Sequence, residues 1–145
     1  ARLSPVIRRH GGFIDKYIGD AIMALFPGEV DDAFHAALDI QAAVAEVRSE
    51  ARDDVRSRLR VGVGVHCGAT MLGTIGEPER MDSTVLSDAV NIASRLEGLT
   101  KRFEVDILVS DAALSAAETS FETRFLGPVD VKGKAEPVGV HELVG

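Results

Sequence analysis

The spacing of apolar residues changes several times along the chain, and each change predicts a new element. Ser4 and Pro5 read as a helix cap and first-turn pair, and a helix of about two turns through Val6 and Ile7 is ended by Gly11 and Gly12. Between Phe13 and Phe26, two apolar, β-prone runs flank Gly19 and Asp20, which predicts a hairpin closed by a tight turn. From Asp31 the period lengthens. Phe34, Ala37, Ile40, Val44, Val47, Ala51 and Val55 recur every three or four residues behind leading acids, the pattern of a long amphipathic helix. Leu59, Val61, Val63 and Val65 then alternate with Arg60, Gly62, Gly64 and His66. This is a strand whose second face is bare enough for another backbone to approach closely, either in the chain or across a two-fold dimer. Gly68 and Ala69 turn it back into a strand over 70–75. The remaining pattern predicts a helix over 88–99, a strand over 105–109, a short helix over 112–117 and a final strand pair around 132–134. Helices and strands mixed in this order, with adjacent hairpins, favour α+β over a parallel βαβ array.

Composition narrows the class. With 145 residues, 46% hydrophobic and 27% charged, residues 1–145 are expected to form one globular domain. The longest apolar run, over 21–26, is far shorter than the roughly 18 residues needed to cross a bilayer, and no signal-peptide pattern opens the chain. Both points suggest a cytoplasmic protein without membrane contact. A net charge of −7 argues against a nucleic-acid partner, since such proteins neutralise phosphates over broad basic surfaces. Phosphate binding in one small pocket remains compatible with it. Cys67 is the only cysteine, so an internal disulfide and a cysteine-based zinc cluster are excluded.

Taken singly, the polar residues carry little chemistry. Asp20 suits a turn, Lys16 an edge strand, and Lys132 with Lys134 a basic β-turn. His10, His35, His66 and His141 have no metal-ligand spacing and read as surface or filler residues. The 88–99 segment is more informative. Ala89, Ile92, Leu96 and Leu99 form its apolar face, while Asn91 and Arg95, four apart, share another. That pair reads either as a solvated face or as a grip on ribose and phosphate, whose oxygens a guanidinium matches in bidentate fashion.

Four blocks covering most of the chain carry a family resemblance. GGFIDKYIGDAIMALFP (11–27), VGVGVHCGATMLGTIG (61–76), MDSTVLSDAVNIASRLEGLTK (81–101) and VDVKGKAEP (129–137) closely resemble, in order and spacing, signature blocks of the class III adenylyl and guanylyl cyclase catalytic domain. The resemblance implies a ferredoxin-like α+β fold, an antiparallel sheet with helices packed on one face, and a head-to-tail homodimer or pairing with another cyclase domain. It further implies that Asp20 is a metal ligand for Mg²⁺ or Mn²⁺, two ions per site. Asn91 and Arg95 would orient the ribose and stabilise the transition state, and Lys132 would contact the triphosphate. Lys16 and Thr84 match the base-selecting pair. A lysine ammonium can donate to adenine N1, whereas guanine N1 carries a hydrogen and calls for a carboxylate, so the expected substrate is ATP.

The sequence departs from that family at several points. The family's first metal aspartate stands on a strand ahead of the helix that opens this chain, and residues 1–145 contain no counterpart. The resemblance is thus to an N-terminally truncated domain, expected to have negligible activity by itself. Ser87 replaces a usual glycine ahead of the 88–99 helix, Thr84 a frequent aspartate, and Gly62 an arginine of some members. The alternative reading is a catalytically inactive cyclase-homology module serving dimerisation or nucleotide binding. A third, a different palm-like nucleotidyl-transfer domain, is opposed by the blocks around Asn91 and Lys132.

Overall fold

The computed structural model describes residues 3–18, 21–50, 61–67, 83–131 and 136–145. Helix α1, Leu3–Arg9, ends as the glycine pair requires. Gly11 takes a φ of +84°, and the Gly12 and Gly11 amides bond back to the Ile7 and Arg8 carbonyls, a left-handed cap that glycine adopts without Cβ strain. Strands β1, Phe13–Ile18, and β2, Ala21–Leu25, pair antiparallel up to Ile18 and Ala21. The tight turn expected at Gly19 and Asp20 lies outside the described residues.

The long helix α2 runs over Val30–Glu50; the expected continuation to Val55 lies outside the described residues, as do the turn at Gly68 and Ala69 and the strand over 70–75. The described part of the next strand, β3, is Val63–Val65. Helix α3 spans Ser83–Phe103, β4 Ile107–Ser110, α4 Asp111–Ala116, β5 Thr123–Val129 and β6 Val138–Leu143. The final strand pair therefore flanks the expected 132–134 segment instead of centring on it. Gly127 and Pro128 conceal β5 in the sequence, because both weaken a strand. They are tolerated here since β5 is an edge strand, with a register shift between Phe125 and Gly127.

The α+β class holds, with two differences from the expected layout. The main sheet has the order β3-β4-β6-β5, antiparallel except that β3 and β4 run parallel on either side of α3. Nor do the helices share one face. Ile107 and Val109 of β4 join Phe34 and Ala37 of α2 in one core, whereas Leu108 between them joins Ile92, Leu96 and Leu99 of α3 in another. Successive strand residues point to opposite sides, so a β4 that is buried at every position needs a helix on each. A third cluster, Val6 and Ile7 with Ile40 and Val44, holds the β1-β2 hairpin through Ile14 and Ala24.

The bare face of β3 is where α3 lies. A Cβ on Gly64 would stand 2.5 Å from the Glu97 nitrogen and 2.9 Å from Leu96 Cβ, and one on Gly62 would stand 3.3 Å from the Glu97 carbonyl oxygen. The close backbone approach expected of this glycine face is thus made, at Gly62 and Gly64, by a helix of the same chain.

Asp31 ties the start of α2 to the segment after α4. Its carboxylate, in a residue 5% exposed, accepts from the Glu118 amide at 2.8 Å and the Thr119 amide at 2.7 Å. Hydrogen bonding by the Thr119 side chain, aided by these amides, outweighs burial and holds the Asp31 pKa below its ordinary 3.8.

Two outcomes follow from this packing. Gly64→Ala should destabilise the domain by about 1–3 kcal/mol, because two backbones must separate to admit the methyl group, and thermal unfolding will read this as a drop of several degrees. Asp31→Ala should cost about 1–3 kcal/mol through two amides left without an acceptor. For the charge alone, the comparison is Asp31→Asn. The unfolded state binds more protons than the folded one between the two pKa values, so the advantage of Asp31 over Asn is complete above the ordinary carboxylate value and drains away as pH falls through the lowered folded value. Melting both proteins between about pH 2 and pH 6 checks this; an advantage that grew on acidification would refute it.

Candidate active site

Helix α3 carries three of the expected site residues, Thr84, Asn91 and Arg95. It starts earlier than the 88–99 expectation because Ser83, Thr84 and Val85 have modest helix propensity and read as loop, yet the backbone there is helical. It ends later because its stop signal is disguised. Glu104 takes a φ of +56°, and the Val105 and Glu104 amides bond to the Thr100 and Lys101 carbonyls, so a non-glycine residue forms the left-handed cap. Ser87 consequently stands inside the helix, not in a turn before it.

Ile92, Leu96 and Leu99 are 2%, 0% and 3% exposed, which turns Asn91 and Arg95, one turn apart, outward. The Arg95 Nε donates to the Asp130 carbonyl oxygen at 3.3 Å. One guanidinium edge is thereby tied to the chain following β5, leaving the terminal N–H groups for another acceptor. Asp130 escapes a reading of side-chain chemistry because it acts through its backbone, which carries no residue-type signal. Of the other expected site residues, Thr84 lies in the first turn of α3, two turns before Asn91 or about 10 Å along the axis. Lys16 lies on β1, paired in register with Met23. Asp20 and Lys132 lie outside the described residues.

The histidines are engaged in packing and hydrogen bonding. His10 Nε2 is 2.6 Å from Asp39, which Arg9 also approaches at 3.6 Å, and the His10 ring stacks on His35, itself against Phe121. His66 Nδ1 meets the Ser110 hydroxyl at 2.7 Å, and that hydroxyl also accepts from the Ala113 amide to cap α4. His141 pairs with Asp111. Burial pushes the Cys67 thiol pKa above its ordinary 9.0, which keeps it a thiol at neutral pH and a poor nucleophile. Among the described residues no three His, Cys, Asp or Glu side chains converge on a metal position, and no described helix is long and apolar enough to cross a membrane. Of the expected metal ligands this leaves Asp20, whose carboxylate is the hard oxygen donor that Mg²⁺ and Mn²⁺ prefer.

Known proteins carry the same pattern. The profile of the adenylate and guanylate cyclase catalytic domain matches residues 4–143. An adenylate cyclase of Anabaena cylindrica is 45% identical over 152 aligned positions, which take in 99% of this chain and 30% of that protein. The terminal-differentiation-specific adenylate cyclase of Dictyostelium discoideum is 41% identical over 147 positions, 97% of this chain and 7% of its own length. In three dimensions the chain resembles a bacterial light-regulated adenylyl cyclase at a TM-score of 0.75 and 23% identity, covering 97% of this chain and 40% of that one. The chain thus spans less than a third of either sequence relative, and the likeness to the solved structure is one of fold.

Proposed function

The chain belongs to the adenylate and guanylate cyclase catalytic domain family, and on that premise we propose that it is the part of an adenylyl cyclase that converts ATP into 3′,5′-cyclic AMP and pyrophosphate. The ribose 3′-oxygen loses its proton and attacks the α-phosphorus. A new P–O bond closes the ring as the bond to the pyrophosphate oxygen breaks.

The observation that carries this reading is the Asn91 and Arg95 pair, exposed on one side of α3, with the Arg95 Nε already engaged by the Asp130 carbonyl. A guanidinium held by one edge offers its remaining donors in a set direction, which is what charge accumulating on a phosphoryl oxygen needs. In this scheme Asn91 orients the ribose, Arg95 meets the α-phosphoryl oxygens, and Lys132 meets the triphosphate. Lys16 donates to adenine N1, and the Thr84 hydroxyl accepts from the 6-amino group. Asp20 holds Mg²⁺ or Mn²⁺, and two such ions, when bound, would lower the pKa of the 3′-hydroxyl and neutralise the triphosphate. The site is shared in a head-to-tail homodimer, Asp20 of one subunit working with Lys16, Thr84, Asn91, Arg95 and Lys132 of the other. We place the domain in the cytoplasm.

The tests belong in the full-length protein, given the short share of its relatives that the chain spans. Lys16→Glu should cut activity with ATP at least about tenfold, since an acceptor then faces the N1 acceptor and leaves both unpaired. An unchanged ATP-over-GTP ratio in Lys16→Ala and Lys16→Glu would show that the base is read elsewhere. Asp20→Ala and Arg95→Ala should each abolish cyclic AMP formation. Arg95→Ala should melt with the wild type, because the exposed side chain contributes little to stability. Mixed together, the two inactive proteins should regain activity, up to about half of one wild-type dimer per heterodimer, since one site then carries both lesions and the other none. No recovery despite demonstrated subunit exchange would refute the shared site.

A further inference from the structure

We propose that Val131 is the positioning residue for Arg95: its side chain, seated in the α3 core, holds the Asp130 carbonyl where it fixes the guanidinium. The inference rests on the reading of Arg95 as the phosphoryl-binding group.

Among the described residues the β5-β6 register ends with the pair Val129 and Val138, one residue before Asp130. Asp130 is exposed and lies beyond the last residue of β5. Val131 is 5% exposed and packs in one cluster with Ile92, Leu96 and Leu99 of α3, Leu108 of β4 and Val140 of β6. Ile92 and Leu96 bracket Arg95 on the same helix. The chain leaving the sheet is therefore pinned to α3 by an apolar side chain at the point where its preceding carbonyl accepts from the Arg95 Nε at 3.3 Å.

A guanidinium is planar, so fixing the direction of its Nε–H sets the plane in which the terminal N–H groups lie. An exposed arginine without that hold samples many rotamers, few of which present both terminal groups to one phosphoryl group. The anchor thus acts on orientation, not on charge. Its loss should lower turnover far more than it weakens ground-state binding of ATP, because Arg95 is asked to meet charge that develops during the reaction.

The test compares three variants of the full-length protein at a temperature where each is folded by circular dichroism. Val131→Ala removes the anchor, and Val131→Ile retains it. Val140→Ala makes the same deletion in the same cluster at a residue 0% exposed. Two readouts are taken, the water-exchange rate of the Arg95 Nε–H, assigned in ¹⁵N NMR by its loss in Arg95→Lys, and the kcat and KM for ATP. Val131→Ala should raise the exchange rate and lower kcat, each by about tenfold, with KM within about twofold of wild type. Val131→Ile should restore both. Val140→Ala should lower the melting temperature at least as much while leaving exchange and kcat near wild type. Wild-type exchange and kcat in Val131→Ala would overturn the proposal, and so would the same losses in Val140→Ala. A wild-type protein that forms no cyclic AMP would refute the cyclase reading instead, and the exchange rates of Val131→Ala and Val140→Ala would still decide whether Val131 positions Arg95.

Discussion

The backbone of α3 lies directly against β3, a contact that exists only because residues 62 and 64 have no side chains. A Cβ at Gly64 would come within 2.5 Å of the Glu97 nitrogen, so helix and strand cannot hold this separation with any larger residue. The consequences extend along the helix. With Glu97 pressed toward β3, Ile92, Leu96 and Leu99 fall into the core, and Asn91 and Arg95 are turned to the surface at a set height over the sheet. A looser contact would leave the same residues on the same helix but displace them relative to the β5-β6 connection that supplies the Asp130 carbonyl.

The layers around that contact are organised by β4. Its residues are buried without exception, and their alternation feeds two cores, one shared with α2 and one with α3. One short strand therefore couples the two long helices, and a cavity in it weakens both cores. Asp31 contributes a second coupling of a different kind. A buried carboxylate is costly unless its oxygens find donors, and the Glu118 and Thr119 amides meet that need while joining α2 to the chain after α4. The hairpin β1-β2 forms a separate two-stranded sheet held by α1 and α2. Lys16 is thus carried on a different sheet from the one against which α3 packs, which accords with a site assembled from several elements and, in the proposed dimer, from two chains.

Much of this was legible in the residues alone. Cap and turn residues located α1 and the hairpin, and the three-to-four period located α2, because that helix buries one face and exposes the other. The glycine alternation at 62 and 64 announced a close backbone approach. The spacing of Asn91 and Arg95 placed them together on a helix, and four quoted blocks pointed to the cyclase family that the profile then matched over residues 4–143. All of these are local signals, encoded in neighbours along the chain.

Only the tertiary structure decided the rest, wherever the deciding partner is distant in sequence or has no side-chain signature. That the glycine face meets α3 depends on a helix some thirty residues further along. The parallel pairing of β3 and β4 and the placement of α2 and α3 on opposite faces follow from long-range packing that periodicity alone does not express. Strand β5 was hidden by Gly127 and Pro128, residues that an edge strand accepts and a central strand would not. The end of α3 was hidden by Glu104 adopting a conformation usually left to glycine. The grip on Arg95 comes from a backbone carbonyl, and every residue has one, so its selection at Asp130 is a matter of where the fold brings the chain.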